Sequence, residues 1–175
     1  IDLENKGRDL PVAKEINDLA YLRRVYIDLV GRIPRMEEIQ AYIQAPKADR
    51  RVKLVDTLLA DERFSDRWTV FFADMVRIRS NAQGGNQLLA YVRNSIEEAK
   101  PYDEMVREMV ASNGHPGNAP EVGYILGENA DPMALAAMTA QTFLGVRLQC
   151  AQCHDHPFDH WKQKQFYEFA GFFGK

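Results

Sequence analysis

Cysteine is nearly absent from this chain: Cys150 and Cys153 are the only two, three residues apart. That excludes a disulfide-framed small secreted domain, which needs several cysteines spread along the sequence. An excess of one charge is lacking as well. Lys and Arg number 22 against 25 Asp and Glu, well mixed, for a net charge of -3. A phosphate-binding surface leaves a basic footprint, so no nucleic-acid partner is expected. No run of about 18 apolar residues occurs, the length a membrane-spanning helix needs. Nor is there a Ser/His/Asp arrangement, a phosphate loop or a carboxylate pair to suggest a hydrolase. The chain begins at Ile1 rather than Met, as expected of a processed protein or an excised piece.

What remains is a chain of 175 residues, 46% apolar and 27% charged, enough to bury a core without staples. Its apolar residues recur at helical spacing almost throughout. Residues 12–30 place Ile16, Leu19, Ala20, Leu22, Tyr26 and Leu29 on one face, and Gly31 with Pro34 ends the run. Further helices are expected over 36–44 and 49–59, the latter with Val52, Val55, Leu58 and Leu59 facing inward. Ser65 is the expected N-cap of a segment reaching Arg79. Two amphipathic stretches, 87–100 and 102–111, are separated by Pro101. A turn-rich loop at 112–120 marks a candidate subdomain break. Pro132 opens a helix that Gly145 closes, and 161–173 reads as a final aromatic helix. No strand pattern of useful length appears. The expectation is an all-α, irregular multi-helix domain over residues 1–175.

The chemistry concentrates at Cys150-Ala151-Gln152-Cys153-His154, the spacing of a c-type haem attachment site. Two thiols on one helical turn can each add to a vinyl group of the same porphyrin, and the following imidazole can bind the iron as proximal ligand. One covalent haem c is therefore expected, held by Cys150, Cys153 and His154. A zinc knuckle is the competing reading, with His156 or His160 completing the ligands. A thioredoxin-like redox pair would want a βαβ context that is missing.

The surrounding residues resemble a known family. The run from Phe143 through Leu144-Gly145-Val146-Arg147-Leu148-Gln149 into the cysteine motif, continuing Asp155-His156-Pro157-Phe158-Asp159, is similar to the hallmark of the DUF1549 family. Leu22-Arg23-Arg24-Val25-Tyr26-Ile27-Asp28-Leu29-Val30-Gly31 with Pro34 resembles its opening motif, and so do Arg63-Phe64-Ser65-Asp66-Arg67-Trp68, Asp74, Arg77 and the closing 166–173 stretch. Arg35 stands where the family usually has a Thr, a departure that bears on the local helix cap. The resemblance implies a cell-envelope, periplasmic or otherwise extracytoplasmic, haem-associated helical domain of a longer polypeptide. Its partner would be a redox protein or a neighbouring cytochrome c domain.

With no Met after His154, this is not an ordinary small cytochrome c, which takes its distal Met from far downstream. A distal ligand must come from upstream (His115, Met138 and Met133 are the candidates) or the sixth position is open. His156, if the motif is helical, points about 200° away from His154 and suits a supporting role. Phe158, Trp161 and Arg147 are candidate pocket residues, the aromatics as wall and Arg147, like Lys162, as partner for a propionate. One-electron transfer is the leading function; a ligand-binding or peroxidase-like open haem and a zinc-binding structural module are the alternatives.

Overall fold

The structure is a computed structural model and describes residue 7 and residues 13–174. Among these the regular elements are helices and no strand occurs, so the all-α expectation holds. The chain divides into two compact units, Ile1–Phe64 and Ser65–Lys175. The loop at 112–120 lies inside the second of them.

The first unit is built on α1 (Asp18–Val30), α2 (Met36–Gln44) and α3 (Arg50–Leu59). Asn17 caps α1 by accepting the Ala20 N–H at 2.9 Å, and Gly31 ends it in the left-handed region at φ 71°, a conformation glycine adopts without steric cost. The expected start at Val12 lies outside the described residues. The inward row of α1 is Leu22, Tyr26 and Val30, which pack with Tyr42, Leu54 and Leu58. Leu58 is buried as expected, but three other expected inward residues face solvent: Leu19 is 52% exposed, Val52 is 65% exposed and Leu59 is exposed as well. In α3 the buried pair is Leu54 and Leu58, a four-residue step, and choosing Val52 and Val55 rotates the face by about one residue's turn of 100°.

Arg35, the residue that departs from the family pattern, offers no acceptor for the start of α2. The cap is supplied from inside the helix: Glu38 reaches back to the Arg35 N–H at 2.6 Å, half of a capping box. The same carboxylate takes a bidentate bond from Arg32, at 2.6 and 2.8 Å. Together these bonds hold the Glu38 carboxyl down to about 2, from an ordinary 4.5. Because the folded state lowers this pKa, the stability it contributes is present above pH 4.5 and is lost as pH falls towards 2. Denaturant melts over that window should show the wild type losing stability and Glu38→Gln starting lower but with a flatter pH profile. Parallel profiles for the two proteins would refute the linkage.

Helix α4 (Glu62–Met75) begins in the first unit and continues in the second. It starts before Ser65, because Asp61 accepts the Arg63 N–H at 2.9 Å and so caps the helix four residues earlier than expected. It ends before Arg79, with Arg77 in the left-handed region at φ 56°. The second unit continues through α5 (Gly85–Glu97), α6 (Tyr102–Ala111), the short α7 (Gly123–Gly127), α8 (Pro132–Phe143) and α9 (Gln163–Ala170). Three 3-10 turns join them, at Pro120–Val122, Gln149–Gln152 and Gly171–Phe173.

Helix α8 organises this unit. Asp131 caps it, accepting the Met133 and Ala134 N–H groups at 2.8 and 3.2 Å, with Pro132 at the first turn. Leu135 and Met138 enter one core, with Val76, Leu88, Val92, Met105, Met109 and Tyr124. Ala136 and Ala140 enter another, with Leu148, Ala151, Phe166 and Ala170. A helix buried on two sides must be apolar on both, which explains why its sequence shows no polar face. Its one buried hydroxyl, Thr139, is matched by the Tyr124 hydroxyl at 2.7 Å. Burial moves the Tyr124 phenol up to about 12.

A candidate haem-attachment site

The segment after α8 positions the site. Gly145 adopts φ 67° and lets the chain turn, with the Val146 N–H still bonded to the Ala140 carbonyl at 3.0 Å. The 3-10 turn Gln149–Gln152 comes next. In such a turn residues three apart eclipse one another. Leu148 and Ala151 form the inward pair, buried in the Phe166 core. Cys150 and Cys153 form the opposite pair, both exposed and both free thiols. Packing of Leu148 and Ala151 is thus what turns the two sulfurs outward together.

His154 follows as the chain leaves the turn, and its imidazole is exposed. Its Nδ1 lies 2.6 Å from the Asp155 carbonyl oxygen. A carbonyl can only accept, so Nδ1 carries the proton and donates. In the neutral ring Nε2 is then the lone-pair nitrogen, the arrangement a metal-ligating histidine uses. Asp155 is itself tied down: it accepts the Gln163 N–H at 3.0 Å and the Lys162 ammonium at 3.0 Å. These donors hold its carboxyl below the ordinary carboxylate value. Beside it, the Gln152 carbonyl accepts from Gln163 Nε2 and from the Tyr167 hydroxyl, each at 3.2 Å.

The other expected residues fall in several places. Met133 packs against the same core that holds Ala151, whereas Met138 is buried in the core on the other side of α8. His115 is exposed in the loop after α6, its Nδ1 accepting the Gly117 N–H at 3.1 Å. His156 is half-buried; its backbone N–H bonds the Trp161 carbonyl at 2.8 Å and its Nδ1 accepts from Phe158 N–H at 3.3 Å. His160 pairs with Asp159 and stacks on Trp161, with ring centroids 4.5 Å apart. Trp161 packs against the Phe166 core. Phe158 is 95% exposed, and Arg147 is exposed. Lys162 is engaged with Asp155. The expected final helix over 161–173 is shorter, α9 closing at Ala170 into a 3-10 turn.

A family model described as a protein of unknown function (DUF1549), PSCyt2, matches residues 1–175. The chain belongs to the DUF1549 family. No curated protein and no solved structure matches it. The DUF1549 match takes in both units and the cysteine turn. Sequence reasoning on this DUF1549 chain placed Tyr167 only in an aromatic cluster beside the motif, and missed Gln163 and the bonds that both make to the Gln152 carbonyl. A glutamine and a tyrosine four apart on a helix carry no signal until the helix is seen to face the turn.

Proposed function

We propose that this domain carries one covalent c-type haem on Cys150 and Cys153, with His154 as the proximal iron ligand, and serves in one-electron transfer. The observation that carries the reading is the pairing of two outward, unpaired thiols with an adjacent imidazole whose Nδ1–H is already committed to a carbonyl. That donor set fits a c-type haem: each thiol would add its S–H across one vinyl C=C, sulfur bonding to one carbon and hydrogen to the other, and the imidazole would meet the iron. The addition is redox-neutral and needs both sulfurs reduced. When bound, the haem supplies a ferric–ferrous couple, whose potential the axial ligand and local burial set. The chain's own contribution is to orient His154 through its Nδ1–H, so that Nε2 is the nitrogen offered as ligand, and to hold the thiols on one face.

The zinc reading is less well supported. Tetrahedral zinc needs two more protein ligands, and among the described residues no three His, Cys, Asp or Glu side chains are grouped to hold a metal ion. Of the upstream candidates for a second iron ligand, Met133 packs against the core that Ala151 enters, on the inward side of the turn rather than the side of the thiols. The domain's place would be extracytoplasmic, where haem attachment occurs, and its partner a redox protein or a neighbouring cytochrome c domain.

Intact mass and a pyridine haemochrome spectrum, on protein matured by a host with a haem-attachment system, test this reading. The expected result is a mass increment of one haem with a thioether-type spectrum, abolished in Cys150→Ala/Cys153→Ala. A wild-type mass equal to the bare polypeptide would sink it.

A further inference from the structure

The cysteine turn is held from two directions. Ala151 anchors it inwardly beneath the two sulfurs, fully buried against the Phe166 core. From the side, the first turns of α9 grip the backbone that carries the chemistry. Gln163 and Tyr167, one helical turn apart and therefore on one face, both donate to the Gln152 carbonyl between the cysteines. The Gln163 backbone N–H holds the carboxylate of Asp155, the residue whose carbonyl fixes the His154 tautomer. A single residue, Gln163, thus touches the segment on both sides of Cys153 and His154. Tyr167 is 45% exposed, so its hydroxyl bond is not a by-product of burial. The loop from 153 to 160 contains no regular helix, so these bonds are what fix its first residues.

We propose that Gln163 and Tyr167 are positioning residues for the haem-attachment segment: they clamp the turn so that both thiols and the Nδ1–H tautomer of His154 are set before the cofactor arrives. The proposal rests on the haem reading. Neither residue touches the reacting atoms; they act through the Gln152 carbonyl and Asp155. Donors that orient a metal-ligating histidine from outside its first contacts typically change metal affinity about 10–100-fold when lost.

The double variant Gln163→Glu/Tyr167→Phe separates this role from packing. Glutamate keeps the length of the side chain and favours a helix N-terminus, but it has no N–H to donate; phenylalanine loses only the hydroxyl. Three readouts are compared with wild type: haem per chain after maturation, amide hydrogen exchange over residues 150–154 on the haem-free chain, and the thermal melt of that chain. The expected result is haem content down about tenfold, faster exchange over the turn, and an unshifted melt. The Gln163 backbone N–H and the Lys162 ammonium still hold Asp155 in this variant, so the His154 tautomer stays as it is. Gln163→Arg, which restores an N–H donor, should recover loading. Wild-type loading with unchanged exchange overturns the proposal. So does a loss of loading that comes with a collapsed melt in the variant and is not recovered by Gln163→Arg, which assigns the pair to packing. A haem-free wild type with no cooperative melt overturns it too, since nothing would then be set in advance. If wild type never acquires haem, the haem reading fails, while the exchange readout still judges the clamp.

Discussion

Phe166→Ala is expected to cost the second unit about 3–5 kcal/mol, the range for emptying a buried aromatic site. The upper part of the range applies because of what surrounds the ring. Phe166 is fully buried among Ala136, Ala140, Ala151, Ala170 and Leu148. The buried alanines have no rotamers with which to fill a void, so relaxation is left to the larger side chains at the edge, Met133, Trp161 and Phe169 among them, and much of the cavity would persist. The void would also open directly beneath Ala151, loosening the turn between the two cysteines. Both tryptophans, Trp68 and Trp161, belong to the second unit, so urea unfolding followed by tryptophan fluorescence reads the relevant transition. A loss under about 1 kcal/mol, the ordinary size for a point substitution, would show that Phe166 is not the keystone of this core.

Gly123→Ala should destabilise the same unit by about 1–3 kcal/mol, through crowding rather than a void. Helices α5 and α7 meet where a Cβ on Gly123 would lie 2.4 Å from the Gly84 carbonyl oxygen and 2.8 Å from Leu88 Cβ. Backbone is the nearer obstacle, and it cannot swing aside as a side chain can. Gly127, at the other end of α7, is the internal control. A Cβ there meets nothing within 4 Å, so Gly127→Ala gains helix propensity of up to about 1 kcal/mol with no clash. The same fluorescence-detected unfolding should therefore move in opposite directions for the two substitutions. A shift in one common direction would mean that propensity, not the close approach at Gly84, governs α7.

Residues that act locally were legible from the sequence; residues that act across the fold were not. The bounds of α2 followed from Pro34 before it and Pro46 after it, and α8 from Pro132 and Gly145, because each signal sits within a turn of its effect. Asp61 displaced Ser65 as the cap of α4 since both are good capping types and only the fold decides which has its N–H partner in reach. The α3 face was read only in part: its valines and leucines cover an arc of about 160° at 100° per residue, and burial selects one edge of that arc, Leu54 with the expected Leu58. Helix α7 went unseen, being five residues with a glycine at each end. The same divide runs through the site. The cysteine spacing is local and could be read directly. The bonds from Gln163 and Tyr167 to Gln152 span 11 and 15 residues, and no pattern along the chain encodes them.

Two thiols standing free on one exposed turn also impose an order on events. Oxygen or any passing disulfide can join such sulfurs to each other or to a neighbouring chain, and a sulfur so occupied has no S–H left to add to anything. The accessibility that makes Cys150 and Cys153 reachable would therefore give them a finite shelf life wherever the surroundings are oxidising. If the domain takes up a haem as proposed, a reductant must act on the folded chain, or attachment must outrun oxidation.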